Sequence, residues 1–383
     1  MKKVLITTST LSRWEKDTEP RFVLDFAKAL SKKYKVTILT PWAPGAKKKE
    51  ALEGISVIRF HYFPIHRCET LCSPGSIMGR IKQKKSRLML VPFFFAALWI
   101  QLLKNVKKYD LVVAHWLIPQ GIVQSFFKKP YICVCHGSDV KALNKGIIKK
   151  LKKRALDKAA AVTVVSNELK RQIVELYEKS NTLIAPMGID IEQFEQSSVK
   201  KDTVKSQHEI LFVGRLDKIK GVTYLIQAME KIDAKLVIVG DGVLRSELEE
   251  QAKTYGDKVH FMGAVEHSEL AEIYSEADVF VAPSITMENG ATEGFGLVFI
   301  EAMAAGIPVI GTKTGGIKDI IIDGETGYFV KEKDSDAIAE RVNFLLKNPK
   351  ESMRIVENAK KEVKRYSWKN VGENYINIIE KSI

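Results

Sequence analysis

Short, nearly continuous apolar runs alternate with amphipathic stretches along this chain, and about halfway the alternation starts afresh. KVLITTS, KVTILT, ISVIRFHYF, DLVVAHW, YICVCHG, AVTVVS and TLIAPMG are β-rich runs in the first half, with helical patterns such as RFVLDFAKALSKK and SNELKRQIVELYEKS between them. Strands that are apolar on both sides and separated by helices belong to a parallel sheet covered on both faces. Residues 196–209, QSSVKKDTVKSQHE, are polar and without periodicity, as a linker is. EILFVGR, AKLVIVGDG, VHFMGA, DVFVAPS, PVIGTK and GYFV then repeat the scheme. The expectation is an α/β protein of two Rossmann-like, doubly wound lobes with a deep interlobe cleft. They cover residues 1–195 and 209–365, and a helix over 366–383 is expected to cross back to the first lobe.

Length agrees, because 383 residues exceed what one ordinary core holds. With 45% hydrophobic and 28% charged residues the composition is that of a globular protein, which excludes disordered, collagenous and disulfide-scaffold classes. Charge is unevenly spread. Residues 1–190 hold 35 Lys and Arg against 14 Asp and Glu, whereas residues 191–383 hold 25 against 32. A basic first half points to an anionic partner or serves solubility alone. GRIKQKKSR (79–87) runs into the apolar LMLVPFFFAALWIQLL (88–103), which contains Pro92 and Gln101 and is short for a bilayer span. The pair reads either as a helix lying on an anionic membrane or as a core helix behind a solvated basic loop.

Cys133 and Cys135 alternate along one strand and so face the same side, while Cys68 and Cys72 stand elsewhere. No CxxC pair or His at ligand spacing accompanies them, so they read as reduced thiols of a cytoplasmic protein and no metal site is expected. MKKVLITTST enters a strand directly, with an apolar run too short for a signal peptide.

The chemistry concentrates in the second half. In FVGRLDKIKGVTYLIQAM (212–229) a strand ends at Gly214, Arg215 and Lys220 follow, and Gly221 opens a helix. Such a junction gathers backbone N–H groups and the positive helix end, which suit phosphate. Arg215 adds a fork and Lys220 a mobile charge for a diphosphate. Taken alone, the motif reads as well as surface cations beside a turn. In EGFGLVFIEAMAAGIPVIGTKTGG (293–316), seven residues separate Glu293 from Glu301, and Gly294 and Gly296 permit close approach of a ligand. Glu301 lies inside an apolar helix, where a carboxylate needs hydrogen-bond donors; ribose hydroxyls are such donors. Glu293, just ahead of that helix, would face the sugar end. VIVGDG with Gly240, and VHFMGAV with Gly263 and Val265, are either base-side turns or ordinary strand ends.

In the first half, CVCHGSDV brings His136 to the end of a strand, where open parallel sheets bind ligands. Asp139 is either an orienting partner or a helix cap. His115 and Trp116 end another strand on the acceptor side, although Trp116 reads better as core packing. The loop STLSRWEKDTEPRF (9–22) offers Arg13, Trp14, Asp17, Thr18 and Glu19 for an acceptor.

EGFGLVFIEAMAAGIPVI, GRLDKIKG, HGSD and APMGID (185–190) together resemble family 4 of the retaining glycosyltransferases, of GT-B architecture, over nearly the whole chain. The resemblance implies a nucleotide-diphosphate sugar, UDP-linked before GDP-linked, as co-substrate and no further cofactor. It gives the diphosphate to Arg215 and Lys220 beside Gly214, the ribose to Glu301, and the sugar to Glu293. Phosphate and sugar would also meet the backbone at Phe295, Gly296, Leu297 and Val298, with Gly240 and Val265 nearby and His136 next to the reacting sugar. His136, Glu293, Arg215 and Lys220 are then the catalytic set. It implies retention by same-face attack, a saccharide or lipid-linked acceptor, and a peripheral place on the inner face of the cell membrane. One departure is that SRWEKDTEPRF stands where many members carry a Gly-Gly pair.

A sugar-nucleotide epimerase, a transferase acting on a small-molecule acceptor, and an inert sugar-nucleotide or nucleic-acid binder are the rival readings. Aromatic and basic residues do not interleave as in a nucleic-acid module, so no nucleic-acid partner is expected.

Overall fold

A computed structural model describes residues 1–383 apart from Lys16, Thr18, Pro74, Lys179 and 198–206. The chain forms two compact units, Met1–Gly188 with Trp368–Ile383, and Ile189–Ser367. The division falls ahead of the polar stretch 196–209, because helix Ile191–Ser197 packs within the second unit.

Unit 1 is built on eight strands: β1 Lys3–Thr7, β2 Lys35–Pro41, β3 Lys49–Leu52, β4 Ile55–Phe60, β5 Leu111–His115, β6 Tyr131–Cys135, β7 Ala161–Val164 and β8 Thr182–Ile184. Their order across the sheet is β3-β4-β2-β1-β5-β6-β7-β8. All neighbours are parallel except β3 and β4, which pair antiparallel. β3 is KEAL, a polar edge strand with no apolar run, so periodicity does not reveal it. Val4, Leu5, Ile6, Val112 and Val113 are fully buried, as strands covered on both faces must be. The chain winds from β1 to β2 on one side and returns to β5 on the other, which makes the carboxyl ends of β1 and β5 the switch point.

The last helix, Trp368–Glu380, belongs to unit 1 and lies against helix Phe22–Ser31. Tyr375 is buried there, and its hydroxyl donates to the Ala185 carbonyl at 2.8 Å. Gly372 lets the two helices touch, since a Cβ would lie 3.0 Å from that of Ala29.

Unit 2 has six strands: β9 Glu209–Val213, β10 Lys235–Val239, β11 Val259–Gly263, β12 Val279–Ala282, β13 Val309–Thr312 and β14 Tyr328–Val330. All are parallel, in the order β11-β10-β9-β12-β13-β14. Its switch point lies between β9 and β12, and the loops that leave β9, β12 and β13 meet there.

Between β4 and β5 of unit 1 runs a continuous helical segment, Lys85–Lys108, of 24 residues, within which an 18-residue stretch has mean hydropathy 1.7. By length and composition it could cross a membrane, which the apolar run alone did not suggest. Phe94, Leu98 and Leu102 recur at helical spacing and are buried. Leu88, Met89, Phe93, Ile100 and Leu103 are exposed. It is therefore not the fully buried core helix that was one of its two readings.

Candidate active site

In unit 2, β9 ends at Val213, and Gly214 and Arg215 lead into the turn. Arg215 is exposed, and its guanidinium makes no ion pair among the described residues. Asp217 caps the short turn Lys218–Lys220 by accepting from the Ile219 N–H at 3.1 Å. That turn aims Lys220 at Glu293, with which its ammonium forms an ion pair. Gly240, at the end of β10, donates its N–H to the Gly263 carbonyl at 2.7 Å, so these two strand ends are tied together. Val265 follows on the same side, half-buried, just ahead of helix His267–Glu276.

Glu293 is held from several directions. Burial opposes its charge, but the Lys220 ammonium and the N–H groups of Gly294 and Phe295 prevail and keep its carboxyl below the usual range. Its own backbone is pinned by the loop after β13: the Gly316 N–H donates to the Glu293 carbonyl at 3.1 Å. A Cβ on Gly316 would lie 2.4 Å from the Gly294 oxygen, and one on Gly315, at φ +47°, 2.0 Å from the Glu293 oxygen. These two glycines therefore set where Glu293 stands.

Helix Leu297–Ala304 begins at Gly296, whose φ of +99° suits glycine. Phe295 is buried behind it. The N–H groups of Leu297 and Val298 open the first turn and have no partner inside the helix, which leaves a positive end facing the Lys220–Glu293 pair's loop. Within the same helix Glu301 is 8% exposed, so it does not point to solvent from the helix edge. Burial raises its carboxyl, against the pull of His267 and a hydrogen bond from Tyr274. The Tyr274 hydroxyl, itself buried, donates to Glu301 at 2.9 Å. The second Glu301 carboxylate oxygen has no such donor among the described residues, which leaves room for a ligand hydroxyl.

In unit 1, His115 ends β5 and His136 follows β6. The rings are stacked, with His115 Nδ1 3.0 Å from His136 Nε2. Burial lowers both imidazoles, His136 to about 3. Asp139 is buried, and its oxygens accept from the N–H groups of Leu117 (2.7 Å), Gly137 (2.9 Å) and His136 (3.2 Å). It thus braces the turns that carry both histidines through their backbone N–H groups. After β1, Arg13 and Asp17 pair with each other in a fork, at 2.5 and 2.9 Å, and Arg13 stacks 4.3 Å from the exposed Trp14 ring. Thr18, read with them, lies outside the described residues.

Residues 190–362 match the family described as glycosyl transferases group 1, and residues 20–193 match glycosyltransferase family 4. An uncharacterised glycosyltransferase of Methanocaldococcus jannaschii is 33% identical over 304 residues, 72% of this chain and 76% of that protein. The chain belongs to glycosyltransferase family 4. A phosphatidyl-myo-inositol mannosyltransferase of Mycobacterium leprae is 28% identical over 257 residues, 66% of this chain and 67% of the relative. Among solved structures, a sucrose-phosphate synthase from Thermosynechococcus elongatus superposes with a TM-score of 0.83 at 23% identity, covering 100% of this chain and 99% of the other. That likeness places the two units of this glycosyltransferase in the GT-B architecture.

The structural roles of four residues of this family 4 glycosyltransferase are not evident from the linear sequence. Tyr274 is an ordinary aromatic of an amphipathic helix, and nothing but the fold sets it against Glu301. Gly315 and Gly316 stand in the same motif block as Glu293, where a doubled glycine after a strand is the one available hint. His115 was read with the acceptor side, whereas the structure buries it completely beneath His136.

Proposed function

We propose that this glycosyltransferase moves a hexose from a nucleotide-diphosphate sugar, with retention of anomeric configuration, to a lipid-linked or saccharide acceptor. The observation that carries the reading is the convergence of Arg215, the Lys220–Glu293 pair, the Leu297 helix end and the buried Glu301 at one switch point. An unpaired guanidinium, an ammonium and free N–H groups attract a diphosphate. A buried carboxylate held by one protein donor is suited to a ribose diol.

In the reaction the bond between the anomeric carbon and the phosphate oxygen breaks. The negative charge left on the nucleoside diphosphate is met by Arg215, Lys220 and the first-turn N–H groups. Lys220 turns toward phosphate as Glu293 accepts hydrogen bonds from sugar hydroxyls. The acceptor hydroxyl bonds to the same carbon on the same face, and its proton goes to the departing phosphate oxygen. We assign His136 to the reacting sugar. UDP is our first choice of nucleotide and GDP the second.

The place of action we propose is the anionic inner face of a membrane, with the protein peripheral and cytoplasmic. The exposed apolar side of Lys85–Lys108, flanked by Lys82, Lys84 and Lys85, supports this. So does the phosphatidyl-myo-inositol acceptor named for the M. leprae relative. The test is a hydrolysis and transfer screen across UDP-, GDP- and ADP-sugars, with the product anomer read by NMR. Inversion at the anomeric carbon would exclude the retaining reading, and no turnover with any nucleotide sugar would exclude the transferase reading itself.

A further inference from the structure

Two histidines at the strand ends of unit 1, His115 and His136, are linked to each other, and one of them keeps a nitrogen with no partner among the described residues. His115 is fully buried, ends β5 and pairs in register with Val134 of β6, which brings its ring beneath that of His136. The rings lie nearly parallel, 15° apart, with centroids 5.2 Å apart. Phe26 stands edge-on to His115 at 4.9 Å, and Phe22 and Trp116 flank His136 at 5.1 and 4.9 Å. His115 Nε2 is buried without a hydrogen-bond partner among the described residues.

Burial keeps both rings uncharged, so each carries one N–H, and the 3.0 Å contact between His115 Nδ1 and His136 Nε2 needs one of them. If His136 were the donor, the proton of His115 would sit on Nε2 as an orphaned N–H inside the aromatic cluster. If His115 is the donor, Nε2 is left as a bare lone pair. Buried orphan N–H groups are rarer and costlier than under-satisfied acceptors. The second arrangement is therefore favoured, and it leaves the remaining proton of His136 on Nδ1.

We propose that His115 is a positioning residue whose Nδ1–H donates to His136 Nε2 and so fixes His136 as an Nδ1–H donor toward oxygen atoms of the sugar ligand. The inference rests on the assignment of His136 to the reacting sugar. It makes His136 a hydrogen-bond donor to a hydroxyl or phosphate oxygen and removes it as a base through Nδ1, which agrees with the acceptor's proton leaving on the phosphate. Asp139 completes the arrangement by holding the backbone of the His136 turn.

The test combines nitrogen NMR on protein labelled at histidine with kinetics of His115 variants. Wild-type spectra, assigned by loss of signals in His115→Asn and His136→Ala, are expected to show protonated Nδ1 and bare Nε2 in both rings. Protonated Nε2 on His136 overturns the proposal and needs no active variant. In His115→Asn the amide N–H stands in for Nδ1–H, and kcat should stay within about threefold of wild type. His115→Phe keeps the ring packing but loses the donor, and kcat should fall about tenfold with donor KM nearly unchanged, as for one lost hydrogen bond. Equal kcat in the Asn and Phe variants would also overturn it. Were the tautomers as assigned but His136→Ala as active as wild type, the pairing would stand, while the assignment of His136 to the sugar would fall and its ligand role with it.

Discussion

Lys220 and Glu293, 73 positions apart in sequence, form an ion pair in which each side chain is less than one-fifth exposed. The contact joins the two motifs of unit 2, GRLDKIKG and EGFGLVFIEAMA, into one site. It also explains how a half-buried carboxylate stays ionised: the Lys220 ammonium, which we propose serves the donor diphosphate, neutralises it. In the proposed reaction, donor binding would exchange the ion pair for sugar hydroxyls at Glu293 and for phosphate at Lys220, so that each charge keeps hydrogen-bonding partners.

Removing the ammonium should therefore affect both activity and stability. Lys220→Ala is expected to lower kcat roughly 10²-fold, as the loss of one preorganised charge does. It should also cost about 1–3 kcal/mol of stability through the stranded Glu293. Adding Glu293→Gln to that variant should recover the stability measured by urea denaturation but not the activity. A wild-type rate in Lys220→Ala would place the diphosphate elsewhere.

Tyr274 supplies the protein's own hydrogen bond to Glu301, and burial already raises that carboxyl. Without the phenol the carboxyl should rise further. Tyr274→Phe is thus expected to increase donor KM about five- to tenfold and to move the acid limb of kcat/KM to higher pH. Glu301→Ala should raise donor KM far more or abolish turnover. An unchanged donor KM in Glu301→Ala removes the ribose assignment.

A methyl group on Gly316 would stand 2.4 Å from the Gly294 oxygen, so the loops that hold Glu293 would have to part. Gly316→Ala should cost about 1–3 kcal/mol, the usual range for overpacking a tight contact, and weaken donor binding at the same time. Thermal melting with and without nucleoside diphosphate separates the two effects. Retention of both full stability and affinity would show that the contact is not restrictive.

Burial depresses His136 to about 3 from an ordinary 6.5, and depresses His115 in the same direction. Below pH 6.5 the unfolded chain binds protons at these positions and the folded chain does not. Their contribution to stability is therefore intact above pH 6.5 and is lost progressively as the pH falls from 6.5 toward 3. Urea titrations of wild type and His115→Phe between pH 7 and 5 should show a shallower decline in the variant, and identical slopes would mean that the rings are already protonated in the folded state.

Exchange of Lys82, Lys84 and Lys85 for Gln should weaken co-sedimentation with vesicles rich in anionic lipid about tenfold or more, at roughly 1 kcal/mol for each lysine near the surface. Wild-type binding should fall with added salt. Phe93→Ser, on the exposed apolar face, should weaken what binding remains at high salt. Undiminished sedimentation of the triple variant would rule out the basic stretch as a membrane contact.

Much of this architecture was legible before any coordinates, because buried parallel strands write their burial into the sequence. Runs such as KVLIT, LVVAH and EILFV need no context to be recognised, and glycines at strand ends mark where ligands approach. Glu301 declared itself by standing in an apolar helix, where a charge without a role would be expensive. Strand β3 did not, since a polar edge strand carries no period of its own.

What only the tertiary structure decided are pairings between residues distant in the chain. Lys220 meets Glu293, Tyr274 meets Glu301, Gly316 meets Gly294, and His115 lies beneath His136. Each depends on which strands become neighbours and on the aim of a side chain leaving its turn, and neither is encoded in local propensity. The sequence by itself determined the kinds of chemical group present and the strand ends that carry them. Packing decided which groups neutralise, brace or desolvate one another, because those energies arise from proximity alone.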